Sequence, residues 1–129
     1  MAIKFFVDKR AYELFKKLIE EEHSPFYGMD FKDVFIFAMA LGYATKRRKP
    51  LESKRELAYI DVFNDLQQAL IKSIAITTER KLEVLMNEKE IFRIAEEYAN
   101  EGIYMLYELI FKSEEPLDAL DKMVTSLVK

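Results

Sequence analysis

The hydrophobic positions of the chain change period several times, and each change marks an element. Ile3, Phe5 and Val7 alternate with Lys4, Phe6 and Asp8, the period of two expected of a half-buried strand. Asp8 can cap a helix in which Ala11, Leu14, Phe15, Leu18 and Ile19 share one face, while Lys9, Arg10, Lys16, Lys17 and Glu20 to Glu22 lie elsewhere. That helix should stop at His23-Ser24-Pro25, and Phe26, Tyr27 and Met29 in the following loop are expected to fold back on the core. Asp30, with Asp33 at the third position, can cap the next segment, Val34 to Ala44, which has no polar face at all. Such a helix belongs at the centre of a domain or at an interface. Gly42 lets a neighbour approach it closely, at a cost of about 1 kcal/mol relative to alanine.

Lys46-Arg47-Arg48-Lys49 follows as a C-terminal turn favoured by the helix dipole, and Pro50 stops the helix. Residues 51 to 63, with Leu57, Tyr59 and Ile60, suit either a short strand or an irregular crossing. Leu66, Ala69, Leu70, Ser73 and Ile74 predict a third helix, capped by Asn64 or Asp61 and ending near Thr77-Thr78, before a short turn through Leu82 and Met86. Asn87 with Glu90 is a capping-box variant that opens the longest helix, where Ile91, Ile94, Ala95, Tyr98, Gly102, Met105, Leu106 and Leu109 hold one face. Gly102 reads there as a tolerated interruption. Pro116 suits the first position of a final helix carrying Leu117, Leu120, Val124 and Leu127. The expected fold class is mainly α: a compact single-domain bundle over residues 1–129, of about five helices with one or two short strands.

Composition removes several kinds of chemistry. The 129 residues contain one histidine and no cysteine, so no disulfide framework, thiolate zinc site or cysteine nucleophile is available. His23 cannot make an HExxH site alone, and Gly28, Gly42 and Gly102 are too isolated for a phosphate-cradling loop. No cofactor or metal is expected. The N-terminus is charged within four residues, unlike a secretory signal, and the longest uncharged run, Val34 to Thr45, is shorter than the roughly twenty residues of a membrane span. The expected location is cytoplasmic, without membrane contact.

Charge alters the picture most. Twenty Lys and Arg against 23 Asp and Glu give a net charge of -3, yet residues 46–55 alone hold six bases and one acid. This decapeptide is therefore +5 and the remaining 119 residues are -8. Lys46, Arg47, Arg48, Lys49, Lys54 and Arg55 are the candidate site residues. They suit two roles: holding the phosphates of DNA or RNA, or docking on acidic helices of this molecule or of a partner. The overall acidity weighs towards protein docking.

Other constellations are weaker. Glu52-Ser53-Lys54 has the E-x-K spacing of magnesium-dependent nucleases, but its upstream acid would have to be Asp33, on a helix. The pairs Glu96-Glu97 and Glu114-Glu115 lack the histidine partners of a di-iron bundle and read as a solvated face. Ser24 has no supporting acid, and Tyr98, Tyr104 and Tyr107 read as core and rim residues. A strand followed by two helices also invites a ribbon–helix–helix reading, with Ala2, Lys4, Phe6 and Asp8 facing DNA, which is a poor set for base edges.

Three blocks carry a family resemblance: Phe31-Lys32-Asp33-Val34-Phe35-Ile36-Phe37-Ala38-Met39-Ala40-Leu41-Gly42, then Arg47-Arg48-Lys49-Pro50-Leu51, then Ile91-Phe92-Arg93-Ile94-Ala95-Glu96-Glu97-Tyr98-Ala99-Asn100-Glu101-Gly102. In order and spacing, over about residues 31 to 125, they resemble the accessory family known as DNA phosphorothioation-associated protein 4. Where that family shows a glycine-containing turn before the bases, this chain has Tyr43-Ala44-Thr45-Lys46. The resemblance implies a role in a DNA modification or defence system and carries over no catalytic residue. The resulting expectation is a non-catalytic accessory protein that docks on components of such a system. The all-apolar second helix adds the expectation of a homodimer, and nucleic-acid binding through residues 46–55 stands as the alternative.

Overall fold

The computed structural model describes residues 3–112 and 114–127, apart from the side chains of Pro116 and Leu127. Strand β1 (Lys4–Asp8) runs into helix α1 (Lys9–Glu20), and a loop leads to α2 (Phe31–Ala44). Strand β2 (Lys54–Tyr59) continues through a 3-10 turn, Ile60–Val62, into α3 (Asp65–Glu79). A second 3-10 turn, Leu82–Met86, precedes α4 (Glu88–Phe111) and α5 (Pro116–Leu127). The mainly helical class and the five helices agree with the periodicity. Ala2, placed on the outward face of the strand by the alternation, lies outside the described residues, as does the side chain of Leu127.

Residues 51 to 63 resolve into a strand because β1 supplies a partner. The strands pair antiparallel, Lys4 opposite Tyr59 and Asp8 opposite Lys54, with a register shift that leaves Leu57 as the extra residue of a bulge. The bulge breaks the period of two, which is why the sequence pattern is ambiguous there. Pairing within the chain also removes the strand that a ribbon–helix–helix dimer would pair with its copy. The N–H of Phe6 is taken by the Glu96 carboxylate at 2.8 Å.

Caps fix the helix starts. Asp8 Oδ1 accepts from the Arg10 N–H at 3.3 Å, while its Oδ2 accepts from the Glu52 N–H at 3.0 Å, so one buried carboxylate both caps α1 and anchors the approach to β2. Asn64, not Asp61, caps α3 in a full capping box with Gln67. This helix runs to Glu79, beyond the expected Thr77-Thr78, because Arg80 closes it in a left-handed conformation. Asn87 caps α4 through the Glu90 N–H, but the Glu90 side chain turns to Arg93, leaving the box half made. Asp30 makes no side-chain cap to α2.

The core forms where α2 lies against α4, with Phe5, Phe35 and Phe63 in mutual contact at its centre. Phe26 folds back onto Phe37 as expected, whereas Tyr27 and Met29 stay exposed. A Cβ on Gly42 would fall 2.1 Å from the carbonyl oxygen of Tyr98, and one on Gly102 would fall 1.8 Å from that of Ala38. The two helices run antiparallel with their backbones in contact at both points. Gly102 is thus a requirement of packing and not a tolerated interruption.

The bases expected in the last turn of α2 fall beyond it. Lys46 adopts φ 58°, its N–H bonds the Tyr43 carbonyl at 3.0 Å, and the Arg47 N–H bonds that of Gly42 at 2.9 Å. This is a Schellman closure with lysine at the position usually given to glycine, at a cost of roughly 1–2 kcal/mol.

Gly42→Ala and Gly102→Ala should each destabilise the protein by about 3 kcal/mol or more, since backbone atoms must separate to admit the methyl group. Gly28, at φ 81° with nothing within 4 Å of an added Cβ, should lose only about 1 kcal/mol as alanine. Urea unfolding of the three variants checks this, and similar losses at all three would refute the close contact.

Candidate functional site

The six bases of residues 46–55 do not share one surface. Lys46 and Arg47 project from the turn that closes α2, exposed and without an ion pair among the described residues. Arg48 turns inward, giving Nε and one terminal nitrogen to Glu97 Oε1 at 3.0 and 2.9 Å, with its guanidinium 5.5 Å from the Tyr98 ring. Lys49 anchors the crossing over α4, its N–H bonded to the Glu97 carbonyl at 3.1 Å, while Asn100 Nδ2 donates to the Lys49 carbonyl at 3.1 Å. Lys54 and Arg55 follow on β2 and face opposite ways, as strand neighbours must. Lys54 lies near the Phe6 ring, and Arg55 stacks 3.6 Å from the centre of the Tyr12 ring. The sequence presents one basic patch, and folding divides it.

The larger departure concerns Glu96 and Glu97, expected on a solvated face. They are only 7% and 6% exposed. From Ile94 to Asn100 helix α4 is buried on every side, by β1, α1, α2, α3 and the chain leaving α2, so the polar side expected of a surface helix is covered there as well. Phe92 and Ala99, apolar residues off the main stripe, are the sequence signal that could have found this.

Successive helical residues diverge by about 100°, and the two carboxylates meet different neighbours. Glu97 lies between two guanidinium groups, Arg48 at Oε1 and Arg93 at Oε2, the latter at 2.7 Å. Arg93 also grips Glu90, which holds the Glu90 carboxyl below its ordinary range and the guanidinium above its own. Glu96 has the Phe6 N–H and the nearby charges of Lys54 and, more weakly, Arg93 in compensation, and Glu97 beside it acts the other way. Burial wins, and its carboxyl is pushed up to about 7.

Glu96 also lines a cleft of about 410 Å³ between the strands and the start of α4. Four cations share that lining: Lys4, Lys54, Lys89 and Arg93. Ile3, Phe6 and Phe92 supply its apolar walls. Only Lys54 belongs to the sequence-predicted set; Lys4, Lys89 and Arg93 come from distant parts of the chain. The nuclease constellation is not assembled. Lys54 begins β2, whereas Asp33 bonds Gln67 beyond the other end of that strand, about 17 Å along six residues. Ser24 bonds the Phe26 N–H, and Tyr98 shares a hydrogen bond with Thr78 inside the fold.

A mainly helical protein with a two-stranded sheet and a cation-lined cleft over a buried glutamate is the class that fold and site define. The chain belongs to the family of DNA sulphur modification system-associated protein 4, whose model matches residues 4–128, nearly the whole sequence. Membership connects it with a DNA sulphur modification system, in line with the resemblance of the three blocks. No curated protein and no solved structure matches it significantly.

Glu96 is protonated in the native state up to about pH 7 but ionised above about pH 4.5 when unfolded, so its contribution to stability falls as pH rises through that window. Over the window the loss is roughly 3 kcal/mol. Denaturant unfolding of Glu96→Gln should lack this loss and exceed the wild type at pH 8; parallel pH profiles would contradict the assignment. Arg48→Ala should cost about 1–2 kcal/mol, Arg93 still neutralising Glu97, whereas Arg47→Ala should be nearly neutral in thermal unfolding.

Proposed function

We propose that this chain is a non-catalytic accessory component of a DNA sulphur modification system, binding a protein of that system through the outer face of α3 and the turn after it. Family membership supports the system, and one structural observation supports the surface. Five of the twelve exposed large apolar side chains among the described residues fall between residues 66 and 86. Leu66, Leu82 and Met86 are 80%, 67% and 91% exposed, with Leu70 and Leu85 beside them in sequence.

The exposure follows from how α3 is held. Phe63 at its start stacks on Phe92, and Thr78 near its end meets Tyr98, so α3 lies along the first half of α4 and buries only Ile71, Ile74 and Ala75. Each large apolar side chain left in water forgoes about 1.5–3 kcal/mol that a partner could recover. The apolar face of α2, the reason for expecting a homodimer, is by contrast covered by α4 within the chain.

Affinity capture against each neighbouring-gene product of the system tests the reading. Leu66→Asp and Met86→Asp should lower capture about tenfold or more and leave thermal unfolding unchanged. Absence of capture by every component, or capture indifferent to both substitutions, would overturn it. A dimer mass abolished by Leu66→Asp would identify a second copy as the occupant instead. Metal-dependent nuclease activity lost on Glu52→Ala would overturn the non-catalytic part.

A further inference from the structure

The cleft over Glu96 is built for something other than an apolar partner. Of its four cations, Lys54 and Lys89 have no ion pair among the described residues, and Lys4 pairs with the exposed, solvent-screened Glu56 at 2.7 Å and lies over the Tyr59 ring. Arg93 is half exposed and bound to Glu90 and Glu97. Glu96 is the only acid in the lining among the described residues. The cations converge on one cavity from β1, β2 and α4, which costs mutual repulsion that an anion would relieve. The walls add a second requirement, because the half-buried ring of Phe6 offers aromatic surface next to the charges, with the edge of the buried Phe92 behind it. Charge at the rim and rings in the wall suit a ligand that joins a phosphate to a flat heterocycle. The volume, about 410 Å³, lies in the range of small-molecule sites.

We infer that this cleft binds a nucleotide, its phosphate held by Lys54 and Lys89 with Lys4 and Arg93 alongside, and its base against Phe6. The nucleotide is either free or part of a nucleic-acid strand, and the chemistry is shared. Glu96 makes the site sensitive to pH. The groups facing it are the Phe6 N–H and Lys4 from β1, Lys54 from β2, and Lys89, Arg93 and Glu97 from α4; Glu56 and Glu90 act behind Lys4 and Arg93. When Glu96 is protonated, the cleft opposes no negative charge to the phosphate. Ionisation near pH 7 places a carboxylate beneath it, and affinity falls.

Calorimetric titration of the intact chain at low salt with adenosine 5′-monophosphate and with hexathymidylate tests the inference and separates the two sources. Saturable binding of either probe is expected, and tighter binding of the oligomer would mark a strand as the source. Lys54→Ala and Lys89→Ala, both exposed positions, should each weaken it about tenfold, the equivalent of about 1.4 kcal/mol, while Lys9→Ala and Lys16→Ala leave it unchanged. Comparing wild type with Glu96→Gln on the same probe cancels the titration of the ligand itself. The variant should keep binding between pH 6 and 8 as the wild type weakens relative to it. No heat with either probe at millimolar concentration, or equal losses for all four lysine variants, would overturn the assignment.

Discussion

The carbonyl oxygens of Ala38 and Tyr98 occupy the places where side chains would begin on Gly102 and Gly42. Two helices of 14 and 24 residues can touch along their backbones only if both positions lack a Cβ, and the remaining geometry hangs on that contact. With α2 pressed against α4, the turn that closes α2 emerges over α4 at Glu97 and Asn100. The chain is then directed across to Glu52, where Asp8 holds it, and into the only position from which β2 can pair with β1. A few tenths of a nanometre of separation would undo the crossing, the ribbon and the cleft together.

Close packing also explains why charged groups lie inside a small protein. An isolated carboxylate would be expelled, since its desolvation costs several kcal/mol. Glu97 is retained by two guanidinium groups, one from α4 itself and one from the chain leaving α2. Glu96 has only a backbone N–H at hydrogen-bond distance and retains its proton more tightly instead. Neighbours in sequence therefore solve burial in different ways, by pairing and by neutralisation. The first ties two segments together, while the second leaves Lys54 and Lys89 without a carboxylate partner among the described residues.

The resulting surface has two regions of different character. Around the strands and the start of α4, cations from three elements meet aromatic rings. Along α3 and its following turn, leucines and a methionine lie bare because α3 touches the body of the protein by a narrow strip only. The two regions can be altered separately because they draw on different residues.

Much of this fold could be read from periodicity. The apolar face of α1, the unbroken apolar character of α2 and the Asn64 and Asn87 caps are local properties, encoded within a few residues of where they act. The family blocks are legible for the same reason, as runs of contiguous sequence. Charge separation was legible as well, but its arrangement was not. Residues 46–55 form a single patch on paper because sequence distance is the only distance available there. Tertiary structure sent Arg48 to Glu97, Arg55 to Tyr12 and Lys54 to a cleft shared with Lys4, Lys89 and Arg93. It also decided the roles of Gly102 and of the two glutamates. A helix shows its own face to any reader of its sequence, whereas what covers its other faces depends on segments 40 to 90 residues away, and only their packing sets solvent, charge and proximity.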